Sequence, residues 1–373
     1  MPVNDIASSP NADSGVLVVD KPKGVTSHDV VAAVRHALRL KRVGHAGTLD
    51  PMATGVLVVG FGAATRLLNH IVGTDKTYRA TIRLGQATDT DDADGTLLPV
   101  SNDERVKRET ILPQLTQEAI QRIIDERFTG VIDQIPNAYS AIKVDGKRAY
   151  DLAREGDDVH LKARPVRIDT FAIDGFHRAQ TVEPVAGMDQ VERVIDVLDV
   201  DVTVTCSAGT YIRALGRDLG AALGVGGHLT MLRRVRVGAF DAQAPGVIHA
   251  HAESRSFTNR EGITVTRAKA VLDLPDDCAD IRAFALTGAQ AARLTMPVID
   301  IDAGQVRELG FGRAIAVKID RPTAAIAATL DNGKPSMPWL VAIIEPDGRG
   351  GAKPTAVFPG ARPQSNRTVA AAA

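Results

Sequence analysis

The sequence predicts an α+β protein, and three observations carry that prediction. Short Val-, Ile- and Leu-rich runs alternate with segments whose apolar residues recur every three or four positions. Hydrophobic residues make up 44% and charged residues 24% of the 373 positions, the balance of a chain that buries a core. Strand-like runs such as AIAVKI and PWLVAII, separated by Asp-Asn-Gly and Asp-Gly turns, return towards the C-terminus.

Taken in order, residues 15–20 (GVLVVD) read as a buried strand, and Pro22 and Gly24 make the turn after it. Ser27 is the expected N-cap of a helix carrying Val30, Val31, Val34, Ala37 and Leu38 at helical spacing to about Leu40. The stretch VGHAGTLDPMATG holds too much Gly, Thr and Pro for a regular element, and GVLVVGFG after it is a second buried strand. Residues 76–84 alternate strictly, which places Tyr78, Ala80, Ile82 and Leu84 on one face and turns Tyr78 inward. A helix over 116–128, a turn at Asp145-Gly146 and an alternating strand over 198–206 follow, and Thr210 is the expected cap of a helix to about Leu223. Beyond Phe240 the pattern weakens. The expected organisation is a tail over 1–14, a catalytic body over 15–250, a helical connection over 251–297, a small β-rich domain over 298–362 and a second tail over 363–373.

Composition excludes several classes. A net charge of −1 argues against a wholly nonspecific polyanion binder, so any nucleic-acid site must be local. No apolar run reaches about 18 residues and no secretory leader pattern opens the chain, so neither membrane contact nor secretion is expected and a cytoplasmic location is. Cys206 and Cys278 lack metal-ligand spacing, and no H-E-x-x-H, P-loop or G-x-G-x-x-G pattern occurs. The acidic run Asp89, Asp91, Asp92, Asp94 fails the EF-hand test, because with Gly95 in the glycine place the end positions are Thr90 and Ser101. The expectation is a reaction without metal or cofactor.

Three local features invite chemistry. In Gly44-His45-Ala46-Gly47-Thr48-Leu49-Asp50-Pro51 the glycines permit tight turns and the proline biases Asp50 away from helix, a presentation that suits a nucleophile and also describes an ordinary Asp-Pro turn. Arg213 falls in the first turn of a helix, where the dipole disfavours a cation unless a carboxylate recruits it; a solvated arginine reads equally well. Basic residues cluster at Lys143, Lys147, Arg148 and Arg154, and again at Arg213, Arg217, Arg233, Arg234 and Arg236, where solvated faces are the bland alternative.

The succession GVLVVDKPKGVTSHDVV, VGHAGTLDPMATGVLVV, KTYRATIRLGQATDTDDADG, IPNAYSAIKVDGKRAYDLAREG and CSAGTYIRALGRDLGAALG…LRRVRVG resembles the TruB family of tRNA pseudouridine synthases, in family order, from about Gly15 to Phe240. The resemblance implies the pseudouridine synthase fold, a mixed β-sheet with a central catalytic cleft and flanking helices, plus a PUA-like C-terminal domain. It implies conversion of uridine to pseudouridine at position 55 in the tRNA T loop, with base flipping and no cofactor. By the same resemblance Asp50 is the nucleophile, Tyr78 stacks on the uracil and takes a proton, and Arg213 pairs with Asp50. Tyr211 and Leu232 line the pocket, Lys21 and Asp92 support it, His45 meets displaced T-loop nucleotides, and Lys143, Lys147 and Arg148 belong to an insertion that closes on the RNA. The implied partner is the tRNA T stem-loop alone, bound by a monomer without guide RNA or protein partner. The stretch 177–193 is longer and less patterned than the family implies. A guide-RNA-dependent synthase, an RNA chaperone and a carboxylate glycosidase are the competing readings.

Overall fold

The computed structural model describes residues 13–137, 143–144, 147–148, 161–184, 192–258, 262–328, 330–331, 334–335 and 337–358. The Asp145-Gly146 turn, Arg154, nearly all of the first tail and the whole of the second lie outside the described residues. In chain order the main elements of the first half are β1 (Gly15–Lys21), α1 (Ser27–Leu38), β2 (Val43–Ala46), β3 (Thr54–Phe61), α2 (Leu68–Val72), β4 (Lys76–Leu84), α3 (Asn102–Ile111), α4 (Gln117–Arg127) and β5 (Gly130–Gln134). Then come β6 (Arg164–Pro184), β7 (Glu192–Cys206), α5 (Ile212–Leu223), β8 (Gly227–Val237), β9 (Ile248–Thr258), β10 (Thr264–Asp273), α6 (Gly288–Thr295), β11 (Val298–Asp300), α7 (Ala303–Gly310), β12 (Thr323–Ala327), β13 (Trp339–Pro346) and β14 (Ala352–Val357). No helix among the described residues is long and apolar enough to cross a membrane.

The chain divides into two compact units. One comprises Asp50–Val56 and Gly73–Val237. Its strands run in the order β3 (its first residues), β8, β4, β7, β6, β5. The β3–β8 pair is parallel and the rest are antiparallel. The alternation of β4 is observed as expected: Tyr78, Ala80, Ile82 and Leu84 are buried, with Tyr78 opposite Val204 on one side and Arg234 on the other. Two glycines set close approaches. A Cβ on Gly220 of α5 would lie 2.3 Å from the backbone of Gly226, and one on Gly55, at φ +105°, would lie 2.1 Å from the carbonyl oxygen of Arg234. Residues 177–184 and 192–193, in the stretch read as longer and less patterned than the family implies, are the far end of strands β6 and β7, which pair to Pro184↔Glu192. Arg108 of α3, itself 3% exposed, forks onto Glu183 there at 2.7 and 2.8 Å, and Arg193 joins the same carboxylate.

The other unit comprises Met1–Leu49, Leu57–Val72 and Gly238–Ala373. Its first sheet runs β10, β9, β1, β3 with β2 paired to β3, and α1 packs Val30, Val31 and Val34 with Leu17, Val19, Leu57, Val59 and Phe61. Its second sheet, β11, β12, β13, β14, encloses Trp339, Val341, Ile344 and Ala325 with Leu309 of α7.

Three local expectations are corrected. The N-cap of α1 is Thr26 rather than Ser27, because Thr26 forms a capping box with Asp29. Residues 43–46 form a strand because pairing with β3, from Val43↔Phe61 to Ala46↔Val58, overrides their glycine content. The expected helical connection over 251–297 is instead the antiparallel β9–β10 hairpin followed by α6.

Candidate active site

Asp50 stands just past β2. Gly47 takes φ +87° and the Ala53 N–H donates to the Asp50 carbonyl at 3.1 Å, so the chain reverses around the Asp-Pro step. The preceding residue, Leu49, is held at both ends by Ser27, whose buried hydroxyl accepts from the Leu49 N–H at 2.9 Å and donates to its carbonyl at 3.2 Å. The loop is therefore anchored while the Asp50 side chain stays 37% exposed, open to a substrate.

Arg213 meets that carboxylate from the first turn of α5. Its side chain is 5% exposed; Nε reaches Asp50 Oδ2 at 2.9 Å, and Nη1 reaches Asp92 Oδ2 at 3.2 Å and donates to the Thr90 carbonyl at 2.8 Å. Two carboxylates and a carbonyl offset both the desolvation of the guanidinium and its unfavourable place at a helix N-terminus. The expected pairing of Arg213 with Asp50 is thus present in the geometry, and Asp92 is a second partner.

The acidic loop that supplies Asp92 is shaped for this contact. Asp91 takes φ +60°, a conformation few non-glycine residues adopt, and the two consecutive aspartates both face α5. Asp92 fixes itself through Oδ1, which accepts from Thr90 Oγ1 at 2.7 Å and from the Asp94 N–H at 3.1 Å. Asp91 Oδ2 lies 3.0 Å from Nη1 of Arg217, one helical turn beyond Arg213. Burial pushes the Asp91 carboxyl up, against the lowering effects of Asn137 and Arg217.

Tyr78 is buried on β4, and burial pushes its phenol up, a rise to which Cys206 and Asp50 add; the charge of Arg234 and its hydrogen bond to the phenol oppose the rise. Arg234 is 1% exposed and donates from Nε to the Val56 carbonyl at 2.8 Å. Leu232, two residues earlier on the same face, is buried opposite Ala80. Asp50, Tyr78, Arg213, Asp92 and Leu232 all belong to one compact unit.

Other expected site residues fall as follows. Tyr211 is the N-cap of α5, without a side-chain cap, whereas Thr210, the expected cap, donates to the Ser207 carbonyl. Lys21 is fully buried and donates to the carbonyls of Pro22 and Val25 at 2.9 and 2.7 Å, pinning the turn after β1. His45 packs edge-on against His28, ring centroids 5.6 Å apart. Lys143, Lys147 and Arg148 lie in two short antiparallel pieces, Lys143 opposite Arg148, and their side chains lie outside the description. Among the described residues no group of three or more His, Cys, Asp and Glu side chains is placed to hold a metal.

Four further residues shape the site without a sequence motif that names them: Ser27 as the Leu49 anchor, Thr90, Arg234 as the Tyr78 partner, and Gln134, whose amide bonds the main chain of Tyr211. Only Arg234 carried a readable signal, since it lies on the inward face two residues after Leu232. The assembled site offers an accessible carboxylate oriented by a buried cation, with an aromatic hydroxyl in the same unit. Such a set can attack an electrophilic carbon and relay a proton.

Comparison with known proteins places the site within matched sequence. The TruB family pseudouridylate synthase N-terminal domain matches residues 35–212, and the tRNA pseudouridylate synthase B C-terminal domain matches residues 213–252. The tRNA pseudouridine synthase B of Bifidobacterium longum (strain DJO10A) is 50% identical, over 93% of this chain and 98% of that protein. The tRNA pseudouridine synthase B of Arthrobacter sp. (strain FB24) is 44% identical, over 92% and 96%. Among solved structures, a chain of a Cbf5–Nop10–Gar1 complex superposes with TM-score 0.54 at 25% identity, covering 92% of this chain and 80% of that one. A chain of an H/ACA RNP bound to a substrate RNA containing 2′-deoxyuridine gives TM-score 0.55 at 23% identity, over 94% and 87%, a likeness of fold.

Proposed function

The chain belongs to the TruB family, has the pseudouridine synthase fold and isomerises uridine to pseudouridine in tRNA, and we propose that its target is the uridine at position 55 of the T loop, with Asp50 as nucleophile. The observation that carries this reading is the 2.9 Å contact between Arg213 and an Asp50 carboxylate left 37% exposed.

The reaction breaks the bond from N1 of uracil to C1′ of ribose, forms a bond from C5 to C1′, releases the C5 proton and protonates N1. It therefore needs a nucleophile, a surface on which the detached base can turn and an acceptor for the C5 proton, all from side chains and without a cofactor. Asp50 adds to the nucleoside, at C6 of the base or at C1′ of the ribose, and that bond breaks again when C5 joins C1′ and the free carboxylate returns; Arg213 holds the carboxylate in line. Tyr78 stacks on the flipped base and relays the C5 proton, its oxygen taking that proton as its own phenolic proton passes to solvent and the Arg234 charge favours the transient phenolate, while Leu232 and Tyr211 line the pocket. Asp92 shares the Arg213 guanidinium, Lys21 pins the turn after β1, and His45 contacts displaced nucleotides. Lys143, Lys147 and Arg148 contact phosphates, and the sheet β11–β14 acts as a PUA-like RNA-binding domain. The protein works in the cytoplasm as a monomer, without guide RNA or protein partner.

The test is incubation with an unmodified tRNA transcript and no other RNA, followed by nucleoside analysis and mapping of the modified position. Pseudouridine at position 55 is expected, and Asp50→Asn should lower turnover by about a thousandfold or more while tRNA binding persists. Modification elsewhere, dependence on a guide RNA, or multiple turnover by the Asn variant each overturns part of the reading.

A further inference from the structure

Gln134 closes β5 and is 2% exposed. Its amide grips both main-chain groups of one residue 77 positions away: the Tyr211 N–H donates to Oε1 at 2.8 Å, and Nε2 donates to the Tyr211 carbonyl at 3.0 Å. That carbonyl also opens the α5 hydrogen-bond ladder, accepting from the Leu215 N–H at 3.3 Å. Tyr211 is the cap residue of α5 and its side chain makes no capping bond; Gln134 supplies from a distance the bond to the cap residue's own N–H that a Glu or Gln at the third helical position makes in a capping box. Arg213 follows two residues later.

The residues after Gln134 extend the same tie. The Ile135 carbonyl accepts from Arg217 Nη2 at 2.7 Å, and Asn137 Nδ2 donates to the Asp89 carbonyl at 3.2 Å. The segment 134–137 thus holds α5 at its start and one turn on, and holds the loop that presents Thr90 and Asp92 to Arg213.

We propose that Gln134 is a positioning residue for Arg213: its amide fixes the height and rotation of the first turn of α5, so that one guanidinium reaches Asp50 and Asp92 together. The inference rests on the reading of Asp50 and Arg213 as the reacting pair. Glutamine suits the task because one planar group both accepts and donates. Glutamate has the same shape but, when ionised, sets an oxygen against the Tyr211 carbonyl, even though its charge favours a helix N-terminus. Gln134→Glu should therefore disturb placement without removing the attraction that helps the helix form.

The experiment measures single-turnover rate, tRNA Kd and urea midpoint for Gln134→Glu and Gln134→Met, alone and combined with Arg213→Lys. Expected is a rate loss of about 30- to 100-fold with Kd within about twofold, since displacing a reacting group by about 1 Å costs on that order. In the Arg213→Lys background the same substitutions should add less than about threefold, because the contact they spoil is already impaired. A wild-type rate in a folded Gln134 variant, an equal loss in both backgrounds, or a loss confined to Kd overturns the proposal. Failure of both variants to fold would make Gln134 a structural residue and overturn it too. A wild-type rate for Arg213→Lys alone would instead reject the underlying reading of the pair, which keeps the two failures distinguishable.

Discussion

The start of α5 and the sheet β11–β14 are built on opposite principles. Around α5 the buried residues include Asp91, Asp92, Arg213 and Arg234, at 3%, 4%, 4% and 1% exposure. In the sheet and the connections between its strands, Thr323 is the one buried polar residue among those described, while Ala324–Ala327 and Leu340–Ile344 make an apolar interior. The nearby ion pairs Arg293–Asp300 and Arg313–Glu308 have side chains 44% to 83% exposed. Exposed pairs of that kind contribute about 0–1 kcal/mol, whereas stripping one partner from a buried pair costs about 3–5 kcal/mol. Burying charge is a poor way to stabilise a fold, so the Arg213–Asp92 pair beside Asp50, like the Arg108–Glu183 pair at the far end of β6 and β7, fixes orientation more than it adds stability. The sheet packs apolar residues inside, and the connection before β12 carries the exposed Lys318 and Arg321, on which its proposed part in RNA contact can be tested.

The largest effect that bears on this contrast should come from Arg213→Lys. The charge is retained but the planar guanidinium, which joins Asp50, Asp92 and the Thr90 carbonyl, is lost. We expect single-turnover pseudouridine formation to slow by about 100- to 1000-fold with tRNA affinity changed only a few-fold. A loss below about threefold would mean that the buried charges serve the fold alone, and the contrast would collapse.

The sheet should respond in the complementary way. Lys318→Ala combined with Arg321→Ala, at two exposed positions, should raise KM for tRNA by about three- to tenfold, leave kcat unchanged and lower the salt dependence of binding by about one to two counterions. A fall in kcat would give the sheet a part in shaping the active site.

The smallest effect is a pH dependence of stability arising from the buried Lys76. Burial, helped by Arg234, pushes its ammonium down to about 8 from 10.5. Between those values the unfolded chain holds the proton that the folded one has released, so this residue makes stability rise with pH from about 8 to about 10. Cys206 acts oppositely: burial pushes its thiol up to about 11 from 9.0, so its contribution falls as pH rises through that window. Because the Lys76 charge also lowers the Cys206 thiol, the lysine is isolated by comparing urea midpoints of Cys206→Ala with those of the same protein carrying Lys76→Met. The double variant should be more stable at pH 7, and its advantage should shrink towards pH 10. A constant difference would show that Lys76 keeps its charge, and that this region holds charge more easily than its burial implies.

Much of the site was legible along the chain because burial is periodic and turns are local. The strict alternation of 76–84 turned Tyr78 inward, whereas the Gly-rich, Pro-ended loop left Asp50 open between a nucleophile and an ordinary turn until the family motifs were read with it. The β9–β10 hairpin was misread for the same reason in reverse: most of its far portion is exposed, so it carries no two-residue hydrophobic period to separate strand from irregular chain. The caps went wrong where two candidates stood side by side. Thr26 and Ser27 are equally good caps by composition, and only the fold assigned Ser27 to Leu49.

By itself the sequence determined most of the elements before Phe240, the inward face of β4 and the family motifs on which the proposed roles of Asp50, Tyr78 and Arg213 rest. The tertiary structure alone decided that Asp92 shares Arg213 with Asp50, that Arg234 meets Tyr78 and that Gln134 grips the main chain of Tyr211, 77 residues away. A side chain's burial is set mainly by its own position in a repeating element and so leaves a trace among its neighbours. A hydrogen bond between distant residues depends on which strands become adjacent and in what register, and no local pattern records that.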